Sequence, residues 1–132
     1  MLHPKQFQVN EAWIAFRLND EAMRTEGEEA FNCICLMDAA SCFILGNAFV
    51  AVHDSEPSQQ EARRLLEAGW AHKQQYASTL FLPTGQFQTH LRAEAERQGI
   101  SVVSVSENQL LIYSGEARQA FRQYFERGDS VE

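Results

Sequence analysis

The chain has 132 residues, with 18 acids against 11 Lys plus Arg and a formal net charge of −7. That length fits one domain of about 100–150 residues, which buries roughly two-thirds of its unfolded surface and needs no disulfide or metal to fold. A net negative chain is a poor general DNA or RNA binder, because phosphate neutralisation supplies most non-specific affinity. The 45% hydrophobic and 22% charged fractions exclude a disordered chain.

The setting follows from what the sequence does not contain. Its apolar runs are far shorter than the ~18 residues of a membrane span. The segment Met1-Leu2-His3-Pro4-Lys5-Gln6 lacks the apolar centre of a signal peptide. Three cysteines, an odd number, do not make a secreted disulfide framework. The expectation is a cytoplasmic protein with free thiols and no membrane contact.

In chain order, Trp13-Ile14-Ala15-Phe16-Arg17-Leu18 reads as a short strand rich in β-formers. Asp20, Glu21, Glu26, Glu28 and Glu29 then form an acidic stretch that reads as a solvated loop. Phe31 to Met37 is apolar on both faces, as in a central strand covered from both sides. Asp38-Ala39-Ala40-Ser41 is a turn, with Asp at its favoured first position. Cys42 to Val52 follows as a third strand, and Gly46-Asn47 marks an expected bulge.

The period then changes. Ser58 and Glu61 form a capping box, and Ala62, Leu65, Leu66 and Gly69 share one helical face. Ser78 to Leu82 reads as a buried strand stopped by Pro83-Thr84-Gly85. Phe87, Leu91 and Ala95 lie one turn apart, so Gln86 to Gln98 is an expected helix ended by Gly99. Ile100 to Val105 is the next strand. Ala117, Ala120, Phe121, Tyr124 and Phe125 make the apolar stripe of a last helix, closed by Gly128. The order β-β-β-α-β-α-β-α calls for a mixed α/β domain. It has a five-stranded mixed sheet with helices on its faces and a right-handed crossover. Its core spans about residues 12–127, and residues 1–11 and 129–132 are expected to fray.

This order resembles the ribonuclease H-like fold. Leu36 to Gly46 is similar to the Asp-x-x-Ser turn and following strand of integrase and transposase cores. Leu80 to Phe87 resembles the end of their fourth strand, and Gln98-Gly99-Ile100 the opening of their fifth. The resemblance implies the fold but not the activity. Nucleases and integrases of this fold hold two divalent metals with acids at strand ends. Here the first such position, near Phe16, is apolar, and the second carries Pro83-Thr84. Glu116 is an approximate candidate for an acid on the last helix.

Other candidate chemistry is sparse. Cys33 and Cys35 share a strand face, and a four-residue turn would pair Met37 with Cys42 and group three thiols there. A Cys-x-Cys without a second ligand pair is a weak metal signature, so Cys33, Cys35 and Cys42 read first as core thiols. His53 and Asp54 form the most site-like histidine pair, but neighbours on a strand point to opposite faces. Arg118 and Arg122 stand one turn apart on the last helix, a candidate patch for an acidic partner or phosphate. Trp13 and Trp70 are candidate contact aromatics. No cofactor fingerprint is present.

Two functions follow from different classes. One is a non-catalytic binding or assembly module with a protein partner, a second copy of the chain being one such partner, and with nucleic acid disfavoured. The other is a divergent metal-dependent nuclease or hydrolase using relocated Asp20, Asp38 and Glu116. It requires those carboxylates within roughly 4–6 Å of one point, because paired ions lie ~3.5–4 Å apart.

Overall fold

Alternate residues of Trp13-Ile14-Ala15-Phe16 are all buried, so this strand must be covered on both faces and lie inside a sheet. The structure, a computed structural model, describes the backbone of residues 1–24 and 30–130 and the side chains of 1–23 and 30–124. Strand β1 (Ala12–Arg17) sits between antiparallel β3 (Ala30–Asp38) and parallel β5 (Thr79–Pro83). Strand β4 (Ile44–Ala51) pairs antiparallel with the other side of β3, and β6 (Ser101–Val105) parallel with β5. The five main strands therefore run β4-β3-β1-β5-β6, with the two-residue β2 (Met23–Arg24) added beside the start of β3. This is the mixed α/β sheet of a ribonuclease H-like fold.

The two faces carry separate cores. Trp13, Ala15, Ile34 and Leu36 point to one face, where α1 (Gln59–Lys73) contributes Ala62, Leu65 and Leu66 and α2 (His90–Arg97) contributes Leu91 and Ala95. Ile14, Phe16, Cys33, Cys35 and Met37 point to the other, covered by Leu110 and by Tyr113 of α3 (Leu111–Ser130). The strict alternation along β1 and β3 divides the apolar residues between these layers.

Several boundaries differ from the expectation, each for a tertiary reason. The first eleven residues, expected to fray, make contacts with the domain. Leu2 and Phe7 pack on the second core, Phe7 lies 5.7 Å from the Phe81 ring, and Leu2 N–H donates to the Gln109 carbonyl. Helix α2 begins at His90 rather than Gln86, because Phe87 adopts a left-handed φ of 58°. Phe87 still fills the core beside Leu91. Helix α3 begins at Leu111, after a 3-10 turn over Glu107–Leu110, and runs through Gly128 to Ser130. Its buried anchor is Tyr113 and Ser114, whereas Tyr124 of the expected stripe is 75% exposed. Residues 131–132 and Glu26, Glu28 and Glu29 of the acidic stretch lie outside the described residues.

The β3–β4 hairpin holds the largest change of register. Asp38 nucleates the expected turn, but Cys42 takes a left-handed φ of 62° and Met37 pairs with Ile44, not with Cys42. Leu36 pairs with Gly46, so the extra residue is Leu45 rather than the Gly46-Asn47 pair. Gly46 serves another purpose: a Cβ there would lie 3.0 Å from that of Ala68, so its absence lets α1 close on the sheet.

Candidate functional site

Parallel pairing brings the C-terminal ends of β1 and β5 side by side, and the first turns of α3 cross them. A cleft of about 70 Å³ forms there, with Phe16 and Pro83 from the strands and Ser114 and Arg118 from the helix. This is where the fold's metal-holding acids would stand. Phe16 is 1% exposed and lies in the apolar core. Pro83 is buried at the strand end, and the next residue, Thr84, donates its N–H to the Val105 carbonyl at 2.8 Å. The helix turns Ser114 and Arg118 toward the cleft rather than Glu116. Arg118 is held by its Nε, which donates to the Arg17 carbonyl at 2.9 Å. Glu107 supplies a carboxylate to the rim, where it accepts from the Gln86 amide. One carboxylate beside a guanidinium repels a second cation instead of caging two.

The relocated set Asp20, Asp38 and Glu116 does not assemble. Trp13 is opposite Asp38 and Arg17 is opposite Ile34, so Asp38 lies at the start of β1 while Asp20 follows its end. Trp13 and Arg17 are themselves about 13 Å apart along the strand. Asp20 pairs with Arg122 at 3.3 Å. Asp38 is 1% exposed and saturated. Its Oδ1 accepts from Asn10 N–H at 2.7 Å, and its Oδ2 accepts from the N–H groups of Ala40 and Ser41 and from the Ser41 hydroxyl at 2.8 Å. A carboxylate engaged and buried in this way organises a turn and presents almost no accessible surface to a metal.

The thiols share one face but form no metal site. Cys33, Cys35, Cys42 and Met37 all join the second core, so the grouping survives the changed register. Burial pushes the Cys33 thiol up to about 11 and raises Cys35 further; Cys42 is raised by burial and by the carboxylates of Glu116 and Asp38. Burial in this way disfavours the thiolate that a cysteine nucleophile needs. Among the described residues, no three His, Cys, Asp or Glu side chains come together to hold a metal ion.

The remaining candidates divide by exposure. Trp13 is 0% exposed and is no contact residue: its Nε1 donates to Asn10 Oδ1 at 2.9 Å, and its ring lies against Gly69. Trp70 is 41% exposed on α1. Arg118 and Arg122 both lean toward the end of β1, each engaged as described above, so they do not form an unpaired basic patch. His53 and Asp54 lie beyond the end of β4 in an exposed turn, where Nε2 and Oδ2 approach to 3.8 Å. The opposite-face argument for a strand therefore does not apply to them.

Two carboxylates escaped the sequence reading. Glu56 precedes α1, yet its carboxylate accepts from the N–H groups of Thr89, His90 and Leu91 at the start of α2. Thr89 makes no side-chain cap of its own, so Glu56 serves the orphan amides from more than thirty residues away. Replacing Glu56 by alanine is expected to cost about 1–2 kcal/mol. Hydrogen exchange checks it: the amides of residues 89–91 lose protection in the variant, and unchanged exchange would contradict the cap. Glu94, 1% exposed, accepts from Gln59 at 3.1 Å and Arg97 at 2.8 Å, with Arg63 at 3.6 Å. Burial works to raise its carboxyl, but Gln59, Arg63 and Arg97 outweigh this and hold it below the usual carboxylate range.

No helix among the described residues is long and apolar enough to cross a membrane. No family model matches the chain, and no curated protein matches it. Among solved structures the chain is similar to a chain of the simian T-cell lymphotropic virus intasome in complex with PP2A regulatory subunit B56 gamma. The identity is 12%, the TM-score 0.54, and the match covers 96% of this chain and 43% of that one. With the strand order described above, that likeness shows a ribonuclease H-like fold and, at this identity, the fold alone.

Proposed function

We propose that this chain is a non-catalytic ribonuclease H-like module that works by binding or assembly with a protein partner. The observation that carries this reading is the strand-end cleft, where Phe16, Pro83, Ser114 and Arg118 stand in the positions the fold uses for metal-holding acids. In-line phosphodiester chemistry needs a cationic clamp on the attacking and leaving oxygens, and this cleft supplies no ligand set for one. A second copy of the chain is the simplest partner. Strands β4 and β6 end the sheet, and each leaves a row of backbone groups able to pair with another strand. The free thiols suit a reducing cytoplasmic setting.

The test has two arms. Incubation with labelled single- and double-stranded DNA and RNA in Mg²⁺ or Mn²⁺ is expected to give no cleavage. Metal-dependent cleavage lost in Glu107→Gln would overturn the non-catalytic reading. Sedimentation equilibrium is expected to show concentration-dependent association. A monomer at every concentration would remove the second copy as partner.

A further inference from the structure

Strand β4 pairs with β3 on one side and, among the described residues, with no strand on the other. The direction of its backbone groups follows from the ladder. Val52 N–H, just past β4, donates to the Ala30 carbonyl at 3.0 Å. In an antiparallel pair these bonds recur at every second residue, so Val50 and Ala48 also turn their amides and carbonyls toward β3. Asn47, Phe49 and Ala51 turn theirs outward. The Ala51 carbonyl is taken by Asp54 N–H at 2.9 Å. The amides and carbonyls of Asn47 and Phe49 have no backbone partner among the described residues.

Soluble proteins ordinarily guard such an edge with lysine, proline, a bulge or short length. The segment Phe43 to Val52 has no charged residue and no proline, in a chain that is 22% charged. Its extra residue, Leu45, lies at one end and leaves Gly46 to Ala51 in regular register. Phe43, Ile44, Phe49 and Val52 are four of the ten large apolar residues exposed among the described ones, so exposure is concentrated on this segment. Phe49 is 59% exposed and stands edge-on to Phe31, with ring centroids 5.4 Å apart. The opposite edge is less suited. Strand β6 has five residues, its one exposed large apolar side chain is Val103, and its Ser104 hydroxyl accepts from the Gln88 amide.

Charge selects the occupant. At a net −7, two copies of the chain repel over most of their surfaces. A two-fold axis would also set like charges near one another if the paired strand carried any. The segment around β4 carries none, so it can meet its own copy. Antiparallel pairing about Ala48 sets Asn47 opposite Phe49 of the second copy. That register gives every outward amide of these two residues a carbonyl and every outward carbonyl an amide.

We infer that β4 is a homodimerisation edge, at which two copies of the strand pair antiparallel about Ala48 and join their sheets into one. The inference rests on the assembly reading above and names its surface.

Hydrogen exchange at increasing chain concentration, read beside sedimentation equilibrium, tests it. Sedimentation is expected to show a monomer–dimer equilibrium, and the amides of Asn47 and Phe49 gain protection in step with the dimer. The amides of Ser101–Val105 in β6 do not. Phe49→Lys sets a charge beside the axis in each copy and raises the dimer dissociation constant about tenfold or more. Val103→Lys on the other edge leaves that constant unchanged. A dimer whose Asn47 and Phe49 amides stay unprotected, or one as tight in Phe49→Lys as in the natural chain, would overturn the β4 edge and leave assembly standing. A monomer at every concentration would remove the edge and the second copy together.

Discussion

Replacing Asp38 by alanine is expected to lower the unfolding free energy by about 3 kcal/mol. The carboxylate receives four hydrogen bonds while 1% exposed, from Asn10, Ala40 and the Ser41 amide and hydroxyl. Each bond to a charged acceptor contributes about 1.5–3 kcal/mol, but the four do not add. Ser41 is exposed and its donors regain water, and removing the charge also recovers its burial cost. The Asn10 amide is the donor least able to recover, because Asn10 is also held by Trp13 and by the Gln75 carbonyl. Asp38→Asn retains one acceptor but turns an NH₂ toward donors, so it is expected to cost about 2 kcal/mol. Urea unfolding of both variants checks this. A loss below ~1 kcal/mol for alanine would mean that the turn forms without its carboxylate.

The second large effect lies at the contact between Trp13 and Gly69. Trp13→Ala is expected to cost about 3–5 kcal/mol, the range for emptying a fully buried aromatic site. Gly69 is its counterpart on α1. A Cβ at Gly69 would lie 2.7, 2.9 and 3.0 Å from three ring carbons of Trp13, inside any normal contact. Alanine ordinarily improves a helix interior over glycine by about 1 kcal/mol. Here overpacking, at about 1–3 kcal/mol, wins, because the ring is pinned by Asn10 and by the edge of Tyr76, whose centroid is 6.2 Å away. Gly69→Ala alone should therefore destabilise by about 1–2 kcal/mol. In the Trp13→Ala background the same change should stabilise by about 1 kcal/mol, since the methyl enters vacated space and the helix preference is recovered. A double-mutant cycle in urea measures the coupling; additive changes would refute the contact.

Whatever depended on short-range chemistry was legible in the residues. The Ser58–Glu61 capping box forms as its spacing requires, with donors and acceptors three residues apart. The Asp38–Ser41 turn forms for the same reason. The change from strand to helix period gave the element order, because a face either alternates or recurs at 3.6 residues. The absence of acids at Phe16 and Pro83 was also readable, since a residue's identity at a strand end does not depend on packing.

Other features required the assembled chain. Glu56 looks like an ordinary loop acid until folding brings it to the amides of α2, and no local pattern encodes a partner 33 residues away. Trp13 reads equally as a contact aromatic or a core residue until Gly69 is placed against it. The left-handed Cys42 and the extra residue at Leu45 changed which residue faces Met37, although the thiols still share a face. On α3, Glu116 is only two residues from Ser114 and from Arg118, yet the helical twist turns it out of the cleft. The sequence by itself determined the element order and which residues stand at the two strand ends, because these rest on periodicity and residue identity. The tertiary structure decided which polar groups meet and which, like the Tyr113 hydroxyl, find no partner among the described residues, because those outcomes depend on register and rotation set by long-range packing.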